Sequence, residues 1–563
     1  MEKKKPVKKQ NNERIRIFML GGQDEDGKNM MCVEIDQDIY IIEAGIKFPD
    51  PKESLGIECI TQDLTYLIEN KDRVAGVFIT HGHDDVMSGL PYLLEQVPTH
   101  LYTSPLCAKE IQRKLKKHNV KGSSIHTIKR HDEKTIGGRK VVFFPVTHAY
   151  PNTFGVAISS NQGYILYTGE FIEDYDNLSD LYRGDFRALT QSEQKGIFIL
   201  LQESKGADRS GHTAPNHRLY PRVQAALEKH TNRRLIFGVY TQSVYRIREI
   251  IESCIQYNRK VYFYNKELKT MIKDMQTVGY EVDAKYIASE KDFKDKKKNI
   301  AVLVSKQGPA MFRTLNNIVN NEVEDFELDK EDVICIAAPI IPGCEKVYGA
   351  MENEIYKAGG KLENLVSGMS SMHPSVEDLK MMLFLLRPKY YIPVKGEYRQ
   401  LIANAQVALD MGYDANHIIV LDNGQVATFE KGRLRSCRQE MELSDNLVDG
   451  NENWDMDGVV LKDRDILSTD GVMILAIGID AKTKKIINGP DVQTRGLIYL
   501  KDAEYITKDV AKIMEDTIVT AVKEKKYDNM STRNDIRDKV IKYLMKTTAK
   551  RPMVLPVIME IHR

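Results

Sequence analysis

The chain has 563 residues, 42% of them hydrophobic and 29% charged, and its 81 basic and 80 acidic side chains leave a formal net charge of +1. That balance excludes a disordered or fibrous chain and leaves room for roughly three or four domains of about 100 to 200 residues. It also excludes a basic footprint spread over the whole molecule, so any nucleic-acid path must be a local groove.

The seven cysteines (Cys32, Cys59, Cys107, Cys254, Cys335, Cys344 and Cys437) form no C-x-x-C pair. This argues against a disulfide framework and against a thiolate zinc site. No apolar run approaches the roughly 18 residues that a membrane helix needs. The opening MEKKKPVKKQNNE is basic with no apolar segment behind it. It reads as a disordered basic tail rather than a secretory signal, so a cytoplasmic protein with no membrane partner is expected.

In chain order, Ile15 to Leu20 reads as a strand turned by Gly21-Gly22, and Met31 to Ile35 with Ile39 to Ile42 as a strand pair across a polar turn. Val74 to Thr80 is a nearly continuous apolar run, as a strand buried on both faces should be. Val141 to Val146, Val156 to Ser159 and Tyr164 to Tyr167 continue the pattern, each leading into a loop that carries a histidine or an acid. From about residue 216 strands alternate with helical spacing: Leu235 to Val239, helix Val244 to Tyr257, Lys260 to Tyr264, Ile300 to Val304 and Val333 to Ala337. A helix (Val376 to Leu386), a strand (Tyr390 to Val394) and short strands near 418 to 428 follow. An Asp-, Asn- and Gly-rich linker then leads to a small α/β domain with Val472 to Ile479, helices near 508 to 526 and 532 to 547, and a last strand from Val554 to Ile561.

The sharpest local feature closes the first long apolar run: Thr80-His81-Gly82-His83-Asp84-Asp85-Val86. Imidazoles and a carboxylate on one tight loop suit a metal, because zinc favours histidine nitrogen and carboxylate oxygen, and two ions can clamp a phosphodiester in line. H-x-H-x-D at the end of a buried strand is far more specific than a lone histidine pair.

Other segments place the chain. Leu20-Gly21-Gly22 with Gly27-Lys28-Asn29-Met30, and Glu43-Ala44-Gly45-Ile46-Lys47-Phe48-Pro49, look like the opening of a ribonuclease J, with Glu43 for the usual Asp. Thr147-His148 resembles a third metal motif and Thr168-Gly169-Glu170 a bridging-acid motif. Leu201-Gln202-Glu203-Ser204 and Ser371-Met372-His373-Pro374-Ser375 resemble the acidic and S-G-H-x-S motifs of a β-CASP insert. Pro393-Val394-Lys395-Gly396-Glu397-Tyr398 is similar to the P-V-H-G-E-Y that ends the core, and the terminal PVIMEIHR to the last strand. From about residue 12 to the end, the chain resembles the ribonuclease J family of metallo-β-lactamase/β-CASP RNA hydrolases, and most of all the second, catalytically degenerate paralogue of Firmicutes.

The resemblance implies an α/β fold: a metallo-β-lactamase αββα sandwich with an inserted β-CASP α/β domain and a small C-terminal α/β domain. The expected divisions are a disordered tail over 1–11, the first core part over 12–215, the β-CASP domain over 216–360 and the second core part over 361–443. A linker over 444–464 and a C-terminal oligomerisation domain over 465–563 complete the chain.

By resemblance one metal would be held by His81, His83, His148 and Glu170. A second would need Asp85, Glu170 and two histidines, and those two positions are Val86 and Lys395. Valine has no lone pair, and an ammonium has no acceptor and repels a dication, although it can pair with Asp85 or Glu170 instead. One zinc or manganese ion at most is expected, and no second. Asp85, His373 and Glu203 would keep residual catalytic roles only, His373 as a general acid or phosphate donor oriented by Glu203; the alternative for His373 is a hydrogen-bonded histidine in an inherited fold. Ser371, His373 and Ser375 would bind substrate. Met369 stands in place of a further family histidine, Met372 replaces a glycine and crowds the phosphate pocket, Ser305 to Ala310 lacks a usual acid, and Cys344 replaces an asparagine.

Two functions remain. One is an inactive or very weak subunit that binds RNA and partners an active ribonuclease J paralogue, as a homodimer or hetero-oligomer, in rRNA maturation and mRNA decay. The other is an active metal-dependent 5′-to-3′ exoribonuclease with some endonuclease activity. The insert and the Ser371 to Ser375 motif point away from small-molecule hydrolysis.

Overall fold

The computed structural model describes residues 13–49, 54–177, 179–185, 196–449, 452–454, 459–497 and 503–562. The basic tail expected over 1–11 lies outside them, as do residues 450, 451 and 455–458 of the expected linker. The chain divides into two compact units, one holding residues 1–50 and 59–451 and the other residues 51–58 and 452–563.

In the first unit two mixed sheets stack face to face. One has eight strands in the order Arg433–Gln439, Gln425–Glu430, Arg14–Gly21, Met30–Ile35, Asp38–Ile42, Val74–Ile79, His100–Thr103 and Ser124–Thr127. The other has six: Tyr390–Val394, Ile197–Glu203, Tyr164–Tyr167, Phe154–Ser159, Arg139–Pro145 and Glu133–Ile136. Alternation along each strand sorts side chains to two faces. Ile15, Ile17, Met31, Val33, Tyr40, Ile42 and Phe78 meet Phe143, Val156, Ile165, Tyr167, Ile199, Leu201 and Ile392 in one buried cluster between the sheets. Their neighbours Phe18, Cys32, Ile39, Ile41, Val77 and Ile79 face outward, against helices Leu90–Gln96 and Pro105–Lys117. On the opposite flank helices Val376–Leu386 and Tyr398–Asp410 bury Leu379, Met382, Leu383, Val407 and Ala408 against Phe144, Leu166, Leu200 and Tyr391. The result is the expected αββα sandwich, and burial on both faces explains why the strands read as unbroken apolar runs.

Between strands Ile197–Glu203 and Tyr390–Val394 the chain leaves the sandwich. It builds a five-stranded parallel sheet in the order Lys260–Phe263, Ile300–Lys306, Leu235–Tyr240, Val333–Ile336 and Lys361–Asn364. It then returns to pair in parallel register with the strand it left, Glu203 opposite Val394.

The stretch read as a linker begins with structure. Asn446–Asp449 is a strand paired antiparallel with Cys59–Thr61, and Val459–Thr469 is a helix. The second unit has a three-stranded sheet in the order Ile486–Arg495, Val472–Asp480 and Met553–Ile561, with helices Ala503–Lys523 and Asn529–Thr548 on one face. Met473, Leu475, Ile477, Val510, Met514, Ile536, Val540 and Leu544 form its core. Among the described residues no helix is long and apolar enough to cross a membrane.

Candidate metal centre

Strand Val74–Ile79 ends at Thr80, and the next three residues turn sharply into the short helix Asp84–Met87. Gly82 is required in this turn, because a Cβ there would lie 2.6 Å from the Tyr150 ring. The turn brings His81 and His83 together, ring centroids 4.4 Å apart, and the loop after Arg139–Pro145 adds His148, 4.7 Å from His81 and 5.1 Å from His83.

Hydrogen bonds fix which nitrogen of each ring is free. Thr80 Oγ1 donates to Glu43 Oε1 over 3.1 Å, so its hydrogen is spent and it accepts from His81 Nδ1 at 2.9 Å. His148 Nδ1 donates to the Met372 carbonyl at 2.9 Å and His83 Nε2 to the Gln242 carbonyl at 3.3 Å. A carbonyl only accepts, so lone pairs remain on His81 Nε2, His83 Nδ1 and His148 Nε2. His81 Nε2, His148 Nε2 and Glu170 Oε2 are buried with no hydrogen-bond partner among the described residues, and Glu170 Oε2 lies 3.1 Å from His148 Nε2 and 3.7 Å from His81 Nε2. Burial disfavours the charged form of two of these rings, pulling His81 well below the usual imidazole range and His83 down to about 4. Three imidazoles and one carboxylate, each offering an atom within 4.8 Å of the others, are a donor set that fits a metal ion.

Beside this group sits a buried ionic cluster. Lys395 Nζ contacts the Glu170 carboxylate, lies 3.1 Å from Glu43 Oε2 and 3.6 Å from Asp85 Oδ2, and the residue is 1% exposed. Burial opposes its charge, but Glu170, Glu43 and Asp85 outweigh that and hold the ammonium well above the usual lysine range. Burial works the same way against Glu170, and Lys395 with the imidazoles keeps that carboxyl well below its ordinary value. Glu43 is pushed up to about 6 by burial, with Lys395 offsetting part of the effect. Asp85 is completed by Asn29 Nδ2 at 3.1 Å and Lys205 Nζ at 3.3 Å. Gln23 holds the Lys395 loop: its Oε1 accepts from Lys395 N at 3.0 Å and its Nε2 donates to the carbonyls of Pro393 and Leu421.

The expected Glu203–His373 contact is present, with Nδ1 and Oε2 2.8 Å apart. Burial and the neighbouring Glu170 push Glu203 up to about 8, and burial pulls His373 down to about 4. His83, Asp85, His148, Ser371 and His373 line a cleft of about 320 Å³ together with Lys205 and Arg246.

Ser375 is 2% exposed and does not line the cleft; its side chain and Asp378 form a capping box on helix Val376–Leu386, and its Oγ lies 2.9 Å from Thr213 Oγ1. In the fold it secures the helix end. Met369 is half-buried against the main core and also does not line the cleft. Met372 does line it, packing with Ile172, Tyr182 and Tyr245. Val86 is fully buried in the core beneath the loop. Sequence reasoning gave no role to Glu43, Lys205, Gln23, Gln242 or Arg246. Of these, Glu43 carried a signal as the acid that opens the Glu43 to Pro49 motif, and Lys205 by standing directly after the Leu201 to Ser204 motif.

Three family models match along the chain: a beta-lactamase superfamily domain over residues 56–190, the ribonuclease J beta-CASP domain over 232–355 and the ribonuclease J C-terminal domain over 459–561. A solved structure of a protein of unknown function from Enterococcus faecalis V583 shares the fold at a TM-score of 0.54 and 15% identity, covering 74% of this chain and 100% of that one. Proteins named Ribonuclease J 2 are similar throughout. The one from Staphylococcus saprophyticus is 29% identical over 98% of this chain and 99% of its own, and the one from Staphylococcus epidermidis is 30% identical over 99% and 100%. With that likeness running end to end through both chains, this protein belongs to the ribonuclease J family.

Proposed function

We propose that this chain is an RNA-decay and rRNA-maturation protein with a degenerate metal site, serving mainly as the RNA-binding and structural partner of an active ribonuclease J paralogue. The observation that carries the reading is the place of Lys395 Nζ among the carboxylates of Glu43, Asp85 and Glu170. A fixed positive charge already balances the acids that a second cation would need, and Val86 offers that cation no donor.

His81, His83, His148 and Glu170 would hold a single ion, zinc or manganese, whose chemistry when bound is Lewis-acid polarisation of a phosphoryl oxygen and activation of water. The chain's own residues do less. The Lys395 ammonium is turned inward to three carboxylates and donates nothing to a ligand in the cleft. His373 is tied through Nδ1 to Glu203 at 2.8 Å, and burial disfavours its imidazolium, so it is poorly suited to protonate a leaving oxygen. If one ion's share of transition-state stabilisation is missing, each lost increment of about 1.4 kcal/mol slows hydrolysis about tenfold. Lys205, Arg246 and Ser371 remain in the cleft as phosphate-binding groups.

The test is degradation of an end-labelled, 5′-monophosphorylated RNA with added manganese or zinc, run beside the His81→Ala/His83→Ala variant. Equal background in both is expected, together with co-sedimentation of each with an active ribonuclease J. Processive 5′ loss by the wild type alone would overturn the partner reading. It would favour the second one, a weak single-metal 5′-to-3′ exoribonuclease with endonuclease activity, for which the preset lone pairs of the three histidines speak.

A further inference from the structure

A second concavity, about 300 Å³ in volume, lies outside the histidine cleft and is lined by Glu173, Tyr175, Asp176, His212, Arg218 and Met381. It is walled by the loop after Glu170, the loop leading to helix Tyr220–Lys229, and helix Val376–Leu386. Glu173 is 7% exposed, and its Oε1 is buried with no hydrogen-bond partner among the described residues. Tyr175 serves the same carboxyl with its hydroxyl, while its ring stands 73% exposed at the rim. A buried carboxylate oxygen without a donor is costly, and native proteins keep few of them. Burial accordingly pushes Glu173 up to about 7.

The pocket's own cations do not meet this need. Arg218 turns Nη2 to Asp174 and to Asp176, the latter at 3.0 Å, and His212 faces Asp378 at 3.2 Å. The lining holds three carboxyl groups, Glu173, Asp174 and Asp176, against one guanidinium, which Asp174 and Asp176 already engage, so the site carries an acidic excess. A flat cation can lie on the Tyr175 ring and send an N–H to Glu173 Oε1, with Met381 beside its apolar stem. Guanidinium suits this better than ammonium, because it is planar, more weakly hydrated and stacks on aromatic faces.

We propose that this pocket is a guanidinium site that takes an arginine side chain of a partner polypeptide or the same headgroup on a free guanidino amine. The proposal is independent of the reading of the metal centre. Calorimetric titration of the full chain with agmatine, with cadaverine as the ammonium control, and with a glycine-serine peptide carrying one central arginine tests it. Agmatine is expected to bind, cadaverine at least about tenfold more weakly, and Glu173→Gln to weaken agmatine by at least about tenfold, the scale of a charged hydrogen bond. Tyr175→Ala and Asp176→Asn alter exposed side chains and are each expected to weaken it by about threefold, a ring or rim contribution; they read the site even if Glu173→Gln fails to fold. The peptide binding more tightly than agmatine assigns the site to a polypeptide arginine, and the reverse to a free amine. No binding of either at millimolar concentration, or affinity unchanged by Tyr175→Ala and Asp176→Asn, would overturn the proposal.

Discussion

Nζ of Lys395 lies 3.1 Å from Oε2 of Glu43, and both residues hold left-handed backbone conformations, with φ of 58° and 66°. Such angles are uncommon outside glycine and persist where the surroundings over-determine them. Here each residue supplies the other's countercharge, and Glu170 and Asp85 share the same ammonium. Lys395→Met is therefore expected to lower the unfolding free energy by about 3–5 kcal/mol, since it strands buried carboxylates. Urea denaturation at neutral pH reads this directly, and a loss below about 1 kcal/mol would mean the acids are neutralised by other means.

The same cluster sets metal stoichiometry. Wild-type chain is expected to retain about one zinc after gel filtration, and the His81→Ala/His83→Ala variant close to none, because four donors fall to two. Val86→His/Lys395→His supplies two imidazoles and removes the repelling charge, so about two ions per chain are expected. Elemental analysis decides, and two ions on the wild type would refute the account of Lys395.

Gly45 supports the histidine turn from below. A Cβ at that position would lie 1.7 Å from the Asp85 carbonyl oxygen and 2.1 Å from its carbon. Backbone cannot yield as a side chain tip can, so Gly45→Ala is expected to cost about 1–3 kcal/mol or more and to displace Asp85 with its loop. A lowered melting temperature with lost zinc retention is the expected pair of results; normal zinc retention would show that the loop absorbs the change.

Ser375 separates a structural role from a binding one. Removing its side chain deletes the cap of helix Val376–Leu386, at about 1 kcal/mol of stability. RNA affinity measured by filter binding is expected to stay within about twofold of the wild type once folding is allowed for, whereas Ser371→Ala, at an exposed residue in the cleft, is expected to weaken it by several-fold, the scale of one lost hydrogen bond. Equal weakening by both would return Ser375 to the binding surface.

Stability is expected to fall with rising pH through one buried carboxyl of the insert. Glu249 accepts from Leu219 N at 3.1 Å and Tyr220 N at 3.2 Å, and burial pushes it up to about 7. A carboxyl whose folded value is raised holds its proton more tightly when folded, so its contribution is full below about 4.5 and is lost as pH rises through 7. Glu249→Gln is expected to flatten that slope by up to about 3 kcal/mol between pH 4.5 and 7. An unchanged pH profile would show the group ionised in the fold.

Much of this was legible in the sequence because the informative patterns are local. The run Val74 to Thr80 and the H-x-H-x-D after it mark both a buried strand and its ligand-bearing turn, and Val376 to Leu386 and Tyr390 to Val394 match their elements end for end. What stayed hidden depends on contacts between distant segments. Nothing near Glu43 indicates that it faces Lys395, and the carbonyls of Gln242 and Met372 that set two histidine tautomers carry no side-chain signature. Ser375 illustrates a second reading of one motif: a match suggested a ligand, and the Asp378 three residues on also spells a helix cap. Strand Ile486–Arg495 was missed because Asn488, Gly489 and Pro490 interrupt its apolar pattern.

The parallel pairing of Glu203 with Val394 makes the long insert an excursion whose two ends are clamped in one sheet. Such a loop is tolerant of length, since each doubling adds only about 0.6 kcal/mol of closure entropy. Glu203 on the outgoing strand and Lys395 just past the returning one are thus mechanical neighbours whatever number of residues intervenes. Insertions, deletions or a single backbone nick in the outer loops of the insert would leave that junction in register, so the insert can be remodelled while the pocket beneath it stays put.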